Sequence, residues 1–228
     1  KIKKLGAKII DIGACSSRPG SNPVSQQEEL KRLIPAIKLV RKYTKNLFIS
    51  VDTFRSEVAI ACVENGADMI NDISAGENDK NMFDTIIKLN VPYIMMHMKG
   101  NPLTMQNKPN YNDVMSELKE FFNTKIENLN NKGFNKIIID PGFGFGKTLD
   151  NNYTILKNLM QFKEFNLPIL IGASRKSMIY NILNKKPETS LNGTSIINTI
   201  GLINGASILR VHDVEEAMEC IKITNTLK

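Results

Sequence analysis

The chain has 228 residues, of which 42% are hydrophobic and 23% are charged, as is typical of a soluble globular protein. No apolar run approaches the roughly 18–20 residues of a membrane span, and no signal peptide is present, so no membrane association is expected. The net charge of +7 indicates either a solvated, lysine-rich surface or attraction of an anionic substrate. Lysines are spread along the chain without an RNA- or DNA-binding motif, which argues against a nucleic-acid partner.

Cysteine and histidine are scarce. The three cysteines form no CxxC pair, which indicates a reducing, cytoplasmic setting without a disulfide framework. With only two histidines, a zinc site built from side chains is not expected.

Seven short apolar segments alternate with helical patterns along the chain. Residues 1–7 resemble the end of a helix closed by Gly6, and Ser25 with Glu28 forms a capping box for the next helix. The predicted strands are 7–13, 47–51, 67–70, 92–96, 137–139, 168–171 and 206–209. The predicted helices are 25–43, 56–65, 78–89, 112–131, 151–165, a stretch reaching 183, 190–204 and 214–227.

Short apolar strands that alternate with helices predict a parallel sheet covered by helices, in one domain over residues 1–228. A (β/α)8 TIM barrel is the favoured architecture, and a doubly wound open sheet is the alternative. A closed barrel has eight strands, whereas seven can be counted here and the chain begins within a helix. We therefore expect that the first strand and most of the first helix precede residue 1.

Polar residues follow the predicted strands at their carboxyl ends, where a barrel places its active site. They are Asp11, Asp52, Asn71, His97, Asp140, 174–176, Arg210 and His212. Three of them, Asp52, Asn71 and Asp140, offer acceptors and an amide that suit a flat heterocycle such as a pterin or guanine. A phosphate, diphosphate or carboxylate suits the cationic and donor groups of Arg18, Lys176, Arg210 and His212.

The glycine-rich segment after Asp140 reads PGFGFGKT and superficially resembles a phosphate-binding P-loop. Its spacing excludes that motif, because only three residues separate Gly142 from Gly146 where the P-loop has four. We expect Phe143 in the core and Phe145 on the ligand side of the loop. The sequence leaves His97 open between a structural role and a ligand contact.

Seven motifs in order resemble the dihydropteroate synthase family from about Leu5 to the end of the chain. They are DIGACSSRPGS, SVDTFRSEVA, INDISAG, MMHMKGNPLTMQ, DPGFGFGKT, GASRKSMI and RVHDV. The resemblance implies a TIM barrel that is usually a homodimer and a target of sulfonamides. It implies transfer of p-aminobenzoate onto 6-hydroxymethyl-7,8-dihydropterin diphosphate, with Mg²⁺ bound and diphosphate released.

The resemblance also implies roles for individual residues, matched motif by motif. Catalytic roles fall to Asp52, Asp140, Lys176, Arg210 and His212. Pterin binding falls to Asp52, Asn71, Ile73, Met96, Asp140, Lys176 and Arg210. The p-aminobenzoate site is formed by Ser17, Arg18, Phe145, Lys176 and Ser177, and the diphosphate site by Arg18, Arg210 and His212.

The sequence departs from the family pattern in its first loop and, as a minor change, at Ala75, where Gly is usual. Ala14, Cys15 and Ser17 replace the Gly, Glu and Thr that are common in the first loop, which predicts altered affinity for p-aminobenzoate and sulfonamides. The family's Mg²⁺-binding Asn belongs to the first strand, so no metal ligand is expected in this chain. Two alternatives remain: a related pterin-binding methyltransferase, against which SRKS and RVHD argue, and a non-catalytic pterin-binding fragment.

Overall fold

The computed structural model describes residues 2–15, 24–101, 105 and 109–227, in which seven strands alternate with helices. The strands are β1 (Ile9–Gly13), β2 (Phe48–Asp52), β3 (Met69–Asp72), β4 (Tyr93–Met96), β5 (Ile137–Asp140), β6 (Leu170–Ile171) and β7 (Ile208–Leu209). The helices are α1 (Gln26–Tyr43), α2 (Ser56–Glu64), α3 (Met82–Leu89), α4 (Val114–Asn131), α5 (Leu149–Lys157), α6 (Ser177–Tyr180), α7 (Leu191–Ile203) and α8 (Val214–Asn225). The 3₁₀ segments are Ile2–Leu5, Leu159–Phe165 and Pro187–Thr189.

Every strand pair is parallel, and each strand lies beside the one that follows it in the chain. A bridge between Ile139 and Ile169 connects β5 to β6. A doubly wound sheet reverses its strand order at one point, so this continuous order excludes that alternative. The described residues form seven strands of a TIM barrel, as predicted, without a ladder between β7 and β1. The expectation of a preceding strand stays a prediction.

Two hydrophobic clusters lie on opposite sides of the strands. The smaller one fills the inside of the barrel with side chains from six strands: Ile9, Met69, Ile94, Ile138, Leu170 and Ile208. The larger one lies between strands and helices and contains the fully buried Tyr93, Phe122 and Phe143. Because these apolar side chains fill the lumen, a ligand can reach the polar side chains at the strand ends only from the carboxyl-terminal mouth of the barrel.

Two helix predictions are wrong in their extent. The helix predicted over 151–165 ends at Lys157 and continues as a 3₁₀ segment, because Asn158 leaves helical geometry at φ −103° and ψ 14°. Its side-chain amide donates to the carbonyl of Thr154, in competition with the backbone ladder. The helix predicted to reach residue 183 is the single turn α6, preceded by Arg175 at φ 55°.

In the described part of the chain, no helix is both long and apolar enough to span a membrane.

Asp72 holds the loop that follows β3 in place. Its fully buried carboxylate accepts four hydrogen bonds, from the Ser74 N–H at 2.8 Å, the Ser74 hydroxyl at 2.7 Å, the Gly76 N–H at 2.8 Å and the Tyr93 hydroxyl at 2.7 Å. The carboxylate thereby substitutes for water as the acceptor for a loop that begins at Ile73, directly after β3. Tyr93 is the first residue of β4, so this contact also joins the end of β3 to the start of the neighbouring strand.

Replacement of Tyr93 by Phe leaves the buried Asp72 carboxylate one donor short. We expect the Tyr93→Phe protein to lose about 1–3 kcal/mol of unfolding free energy, measured by urea denaturation. The matched control is Tyr153→Phe, which removes a hydroxyl that donates to the neutral carbonyl of Met178 at 2.8 Å and is expected to cost less than about 1 kcal/mol. Equal losses for the two variants would contradict this account of Asp72.

Candidate active site

Strand register brings the polar strand ends to one level at the mouth. Asp52 on β2 is paired with Asn71 on β3, and Met96 on β4 is paired with Asp140 on β5. Paired residues of parallel strands project to the same face of the sheet. Asn71 and Asp140 are buried and Asp52 is half-buried, so their polar groups line a recess rather than the outer surface.

Asp11 on β1 lies at the centre of this recess. Its Oδ2 accepts hydrogen bonds from the Asn71 Nδ2 at 3.2 Å and from the Arg210 Nε at 2.7 Å. The Arg210 Nη2 lies 3.6 Å from the Asp52 Oδ2, so one guanidinium contacts two carboxylates. No role was predicted for Asp11 from the sequence, although it is paired with Ser50, two residues before Asp52, and so projects to the same face of the sheet as Asp52.

Lys176 lies between the loop after β5 and the loop after β6. Its Nζ donates to the carbonyl of Phe143 at 2.6 Å and lies 4.5 Å from the ring centroid of Phe145. Phe143 is buried in the core, as predicted, whereas Phe145 is half-buried. The structure thus places an ammonium group beside an aromatic wall at the mouth.

An apolar cluster completes the same side of the recess. Phe145 packs against Ile73 and Met96, which are the two apolar residues predicted to contact a pterin. The remaining members are Phe54, Met98 and Met105. A flat heterocycle can lie on such a surface while its edge contacts the carboxylates.

The SRKS motif in the loop after β6 and the RVHD motif after β7 are joined by side-chain contacts. Ser174 Oγ lies 3.0 Å from His212 Nδ1, and Arg175 makes a bidentate pair with Asp213 through bonds of 2.9 and 2.7 Å. Arg175 therefore acts as a tether between the two loops and not as a ligand group of the recess. Arg210 and His212 are exposed at the mouth, where they can meet an anion.

A second lysine, Lys147, is buried behind the recess. Its Nζ lies 2.9 Å from the Nδ1 of His97 and donates to the carbonyls of Gly142 at 3.0 Å, Phe145 at 3.1 Å and His97 at 3.2 Å. These acceptors satisfy the ammonium group without a ligand. His97 is therefore a structural residue, and no role was predicted for Lys147 from the sequence.

Burial and neighbouring charges shift the pKa values of the recess residues. Burial first, then the Asp11 carboxylate, raises the pKa of Asp52 to about 7, although Arg210 opposes the shift. Burial also raises the pKa of Asp140, against the attraction of Lys176. Burial lowers the pKa of Lys176 to about 8, against the effect of Asp140. Two groups near neutrality in one recess are typical of an active site.

Some of the predicted site residues are not brought together by these contacts. Ser17 and Arg18 lie outside the described residues. Ser177 is the exposed first residue of the one-turn helix α6, and no contact of its side chain with the recess is observed. The described part of the chain contains no group of three His, Cys, Asp or Glu residues that could hold a metal ion.

The architecture and the recess define a pterin-binding barrel, and comparison with known proteins agrees. Residues 1–212 match the family model described as "Pterin binding enzyme". Dihydropteroate synthase of Escherichia coli K12 is 42% identical over 220 residues, which cover 96% of this chain and 77% of that enzyme. The chain belongs to the dihydropteroate synthase family, whose named members include enzymes of folate synthesis.

Solved structures agree with this membership. Yersinia pestis dihydropteroate synthase, crystallised with a sulfonamide drug complex, superposes with a TM-score of 0.95 at 38% identity, covering 99% of this chain and 82% of that one. The Xanthomonas albilineans enzyme with 4-aminobenzoic acid gives a TM-score of 0.92 at 36% identity, covering 99% and 81%. The TIM-barrel prediction and the family resemblance are both confirmed.

The two shifted pKa values predict a bell-shaped dependence of ligand affinity on pH. Asp52 carries its charge only above its raised pKa of about 7, and Lys176 keeps its charge only below its lowered pKa of about 8. We expect the affinity for a phosphate-free reduced pterin to be greatest between these values, to fall on the acid side as Asp52 is protonated, and to fall on the alkaline side as Lys176 loses its proton. Calorimetric titration at a series of pH values measures this affinity.

Two variants assign the limbs of this profile. Asp52→Asn should bind weakly without the acid limb, and Lys176→Met should bind weakly without the alkaline limb. A profile in either variant that keeps both limbs would show that other groups titrate.

Proposed function

We propose that this protein is a transferase that joins p-aminobenzoate to 6-hydroxymethyl-7,8-dihydropterin diphosphate, giving 7,8-dihydropteroate and diphosphate. The observation that carries the proposal is the recess itself, where a row of oxygen acceptors and a lysine lie beside exposed Arg210 and His212. The membership of the chain in the dihydropteroate synthase family supports the same reaction.

The acceptor groups suit the N–H-rich edge of the pterin. Asp52 and Asp140 present carboxylate oxygens, and an aminopyrimidine edge carries adjacent N–H donors that a carboxylate can accept in pairs. Lys176 is the complementary donor, placed to meet a ring oxygen or nitrogen. Ile73 and Met96 contribute the apolar surface against which the ring lies.

The mechanism that we propose begins with departure of the leaving group. The bond between the pterin methylene carbon and the diphosphate oxygen breaks, and its electron pair goes to the diphosphate, next to Arg210 and His212. Asp52 and Asp140 stabilise the positive charge that develops on the pterin. The aniline nitrogen of p-aminobenzoate then bonds to the carbon and loses a proton to solvent. This order relies on positioning more than on a strong general base.

The second substrate lies against Phe145 in this proposal. The ring of Phe145 packs on the apolar cluster on one side and faces the Lys176 ammonium on the other. Ser17, Arg18 and Ser177 are proposed to complete the p-aminobenzoate site, and Arg18 to contact the diphosphate as well. Sulfonamides are proposed as inhibitors at the same place, because the Yersinia pestis relative was crystallised in a sulfonamide complex.

Mg²⁺ is proposed to arrive on the diphosphate. The described residues offer no cluster that fits a metal cage, and Mg²⁺ is commonly bound through substrate phosphates with few protein ligands. No step of the mechanism is assigned to it. A cytoplasmic location is likewise proposed, since Cys15, Cys62 and Cys220 are all free thiols.

A diphosphate-release assay with both substrates tests the reaction. We expect release that depends on p-aminobenzoate, and we expect Lys176→Ala to reduce kcat/KM by about 10²–10³, because the variant loses a half-buried cation at the pterin. The control is Lys185→Ala, an exposed lysine beyond α6, which should leave the rate unchanged. Unchanged turnover in Lys176→Ala would contradict the site assignment.

The same assay separates the two alternatives of the sequence analysis. A corrinoid methyltransferase would release no diphosphate, since its chemistry needs no diphosphate leaving group. A non-catalytic pterin-binding fragment would bind pterin without turnover.

A homodimer is also proposed, through a surface on α7. Ile196, Ile200 and Ile203 are 50%, 37% and 53% exposed and follow one another at helical spacing, and Ile223 on the neighbouring α8 is 65% exposed. A row of exposed isoleucines on two packed helices is an apolar surface that could pair with its copy about a twofold axis.

Replacement of Ile196 by Glu puts a charge into that surface. If the proposal is right, light scattering on the wild-type protein should give twice the chain mass and Ile196→Glu should give the monomer mass. Leu39→Glu is the control, since Leu39 is 57% exposed on α1 and should not alter the mass. A wild-type monomer, or a dimeric Ile196→Glu variant, would contradict the proposed surface.

A further inference from the structure

We propose that Asp11 is a positioning residue that orients the amide of Asn71 and thereby makes the recess select a reduced pterin ring over an oxidised one. The inference rests on the proposed function, because it assumes that the recess binds a pterin. It explains the ring selectivity by Asp11, a residue that acts on the ligand indirectly, through Asn71.

The orientation of Asn71 follows from the chemistry of its partner. An amide side chain presents a donor and an acceptor of almost the same shape, so its orientation is set by the hydrogen-bond network. An ionised carboxylate can only accept, and Asp11 Oδ2 lies 3.2 Å from Asn71 Nδ2. The Arg210 Nε donates to the same oxygen at 2.7 Å, so the Oδ2 of Asp11 is an acceptor towards both of its neighbours. The amide nitrogen is therefore held towards Asp11, and the amide oxygen points the other way.

This orientation extends the row of acceptors at the mouth. Within the described ranges, no residue donates a hydrogen bond to the Oδ1 of Asn71, a residue that is 5% exposed and is paired with Asp52 across the two strands. Asp52 and Asp140 carry oxygens only. Asn71 is the one amide among these three residues, and it alone could turn to offer an N–H to the ligand. Asp11 prevents that turn, so the ligand must supply an N–H group to the Oδ1 of Asn71.

Reduced and oxidised pterins differ in this property. A 7,8-dihydropterin carries hydrogen on a ring nitrogen that has only a lone pair in the oxidised ring. A lone pair that faces a fixed oxygen leaves both groups without a partner, and a site built for a hydrogen bond rejects such an analogue strongly. An amide that is free to turn would instead donate its N–H to the bare nitrogen and tolerate the oxidised ring.

The test compares affinities for 6-hydroxymethyl-7,8-dihydropterin and 6-hydroxymethylpterin in the wild type and in Asp11→Asn, by fluorescence titration. Asparagine keeps the shape of Asp11 but can donate or accept, so Asn71 is released from its fixed orientation. We expect the preference for the reduced ring to fall about tenfold or more in Asp11→Asn. If both affinities weaken while their ratio is unchanged, Asp11 acts only on Arg210, and the inference is overturned.

A double-mutant cycle shows whether the effect passes through Asn71. In an Asn71→Ala background no amide remains to turn, so Asp11→Asn should leave the ratio unchanged. A change in the ratio that persists in that background would overturn the inference. A wild-type protein that binds neither pterin would overturn the proposed function as well, and this outcome differs from binding without selectivity.

The wild-type protein provides a second measurement if Asp11→Asn does not fold. A crystal structure with the reduced pterin should keep Asp11 Oδ2 near Asn71 Nδ2 and place the ring N–H at about 3 Å from Asn71 Oδ1. A ring nitrogen that contacts no atom of Asn71 would overturn the proposal.

Discussion

The ion pair between Arg210 and Asp11 connects the two ends of the strand array. Asp11 lies on β1 and Arg210 directly follows β7, and the described residues show no ladder between these strands. Within the described residues, backbone hydrogen bonds join each pair of successive strands but do not join β7 to β1. The side chains of Arg210 and Asp11 make the contact there. Two further features depend on it: the orientation of Asn71, and the position of the guanidinium 3.6 Å from Asp52. An electrostatic contact, unlike a packed core, also depends on the ionisation of its neighbours.

Lys147 and Lys176 show how the number of hydrogen-bond acceptors decides whether a lysine has a structural role or is available to a ligand. Lys147 has three carbonyls and an imidazole nitrogen around its Nζ, so each of its donors is already used. Lys176 has the carbonyl of Phe143 and the face of the Phe145 ring, so it retains donor capacity. The residue type is the same and both side chains lie close to the loop after β5. Only the number of fixed acceptors separates the structural ammonium from the one available to a ligand.

The sequence predicted the fold well because hydrophobic periodicity and the polar residues that end each apolar run are local signals. Each buried strand that ends in Asp52, Asn71 or Asp140 is recognisable from its apolar run and the polar residue that follows it. The end of α5 at Lys157 was not predictable in that way, since the helical pattern of the side chains continues into the 3₁₀ segment. Helix type there depends on an asparagine that bonds its own turn, which periodicity does not detect.

The site was predictable as a set of strand ends but not as a network. Asp11 was visible at a strand end, yet its value lies in contacts with Asn71, 60 positions away, and Arg210, 199 positions away. Lys147 was overlooked because a lysine after a glycine-rich segment suggests a phosphate contact, and the spacing had excluded one. Its actual partners are backbone carbonyls, which every residue possesses and which no sequence pattern marks.

The loop after β5 has its carbonyls occupied before any ligand arrives. Lys147 binds those of Gly142 and Phe145, Lys176 binds that of Phe143, and the Tyr111 hydroxyl binds that of Gly146 at 2.7 Å. A loop held in this way has little conformational entropy left to lose on binding. The heat-capacity change on ligand binding should therefore correspond to the apolar surface buried by the ligand itself, without the additional contribution that a segment folding around it would make.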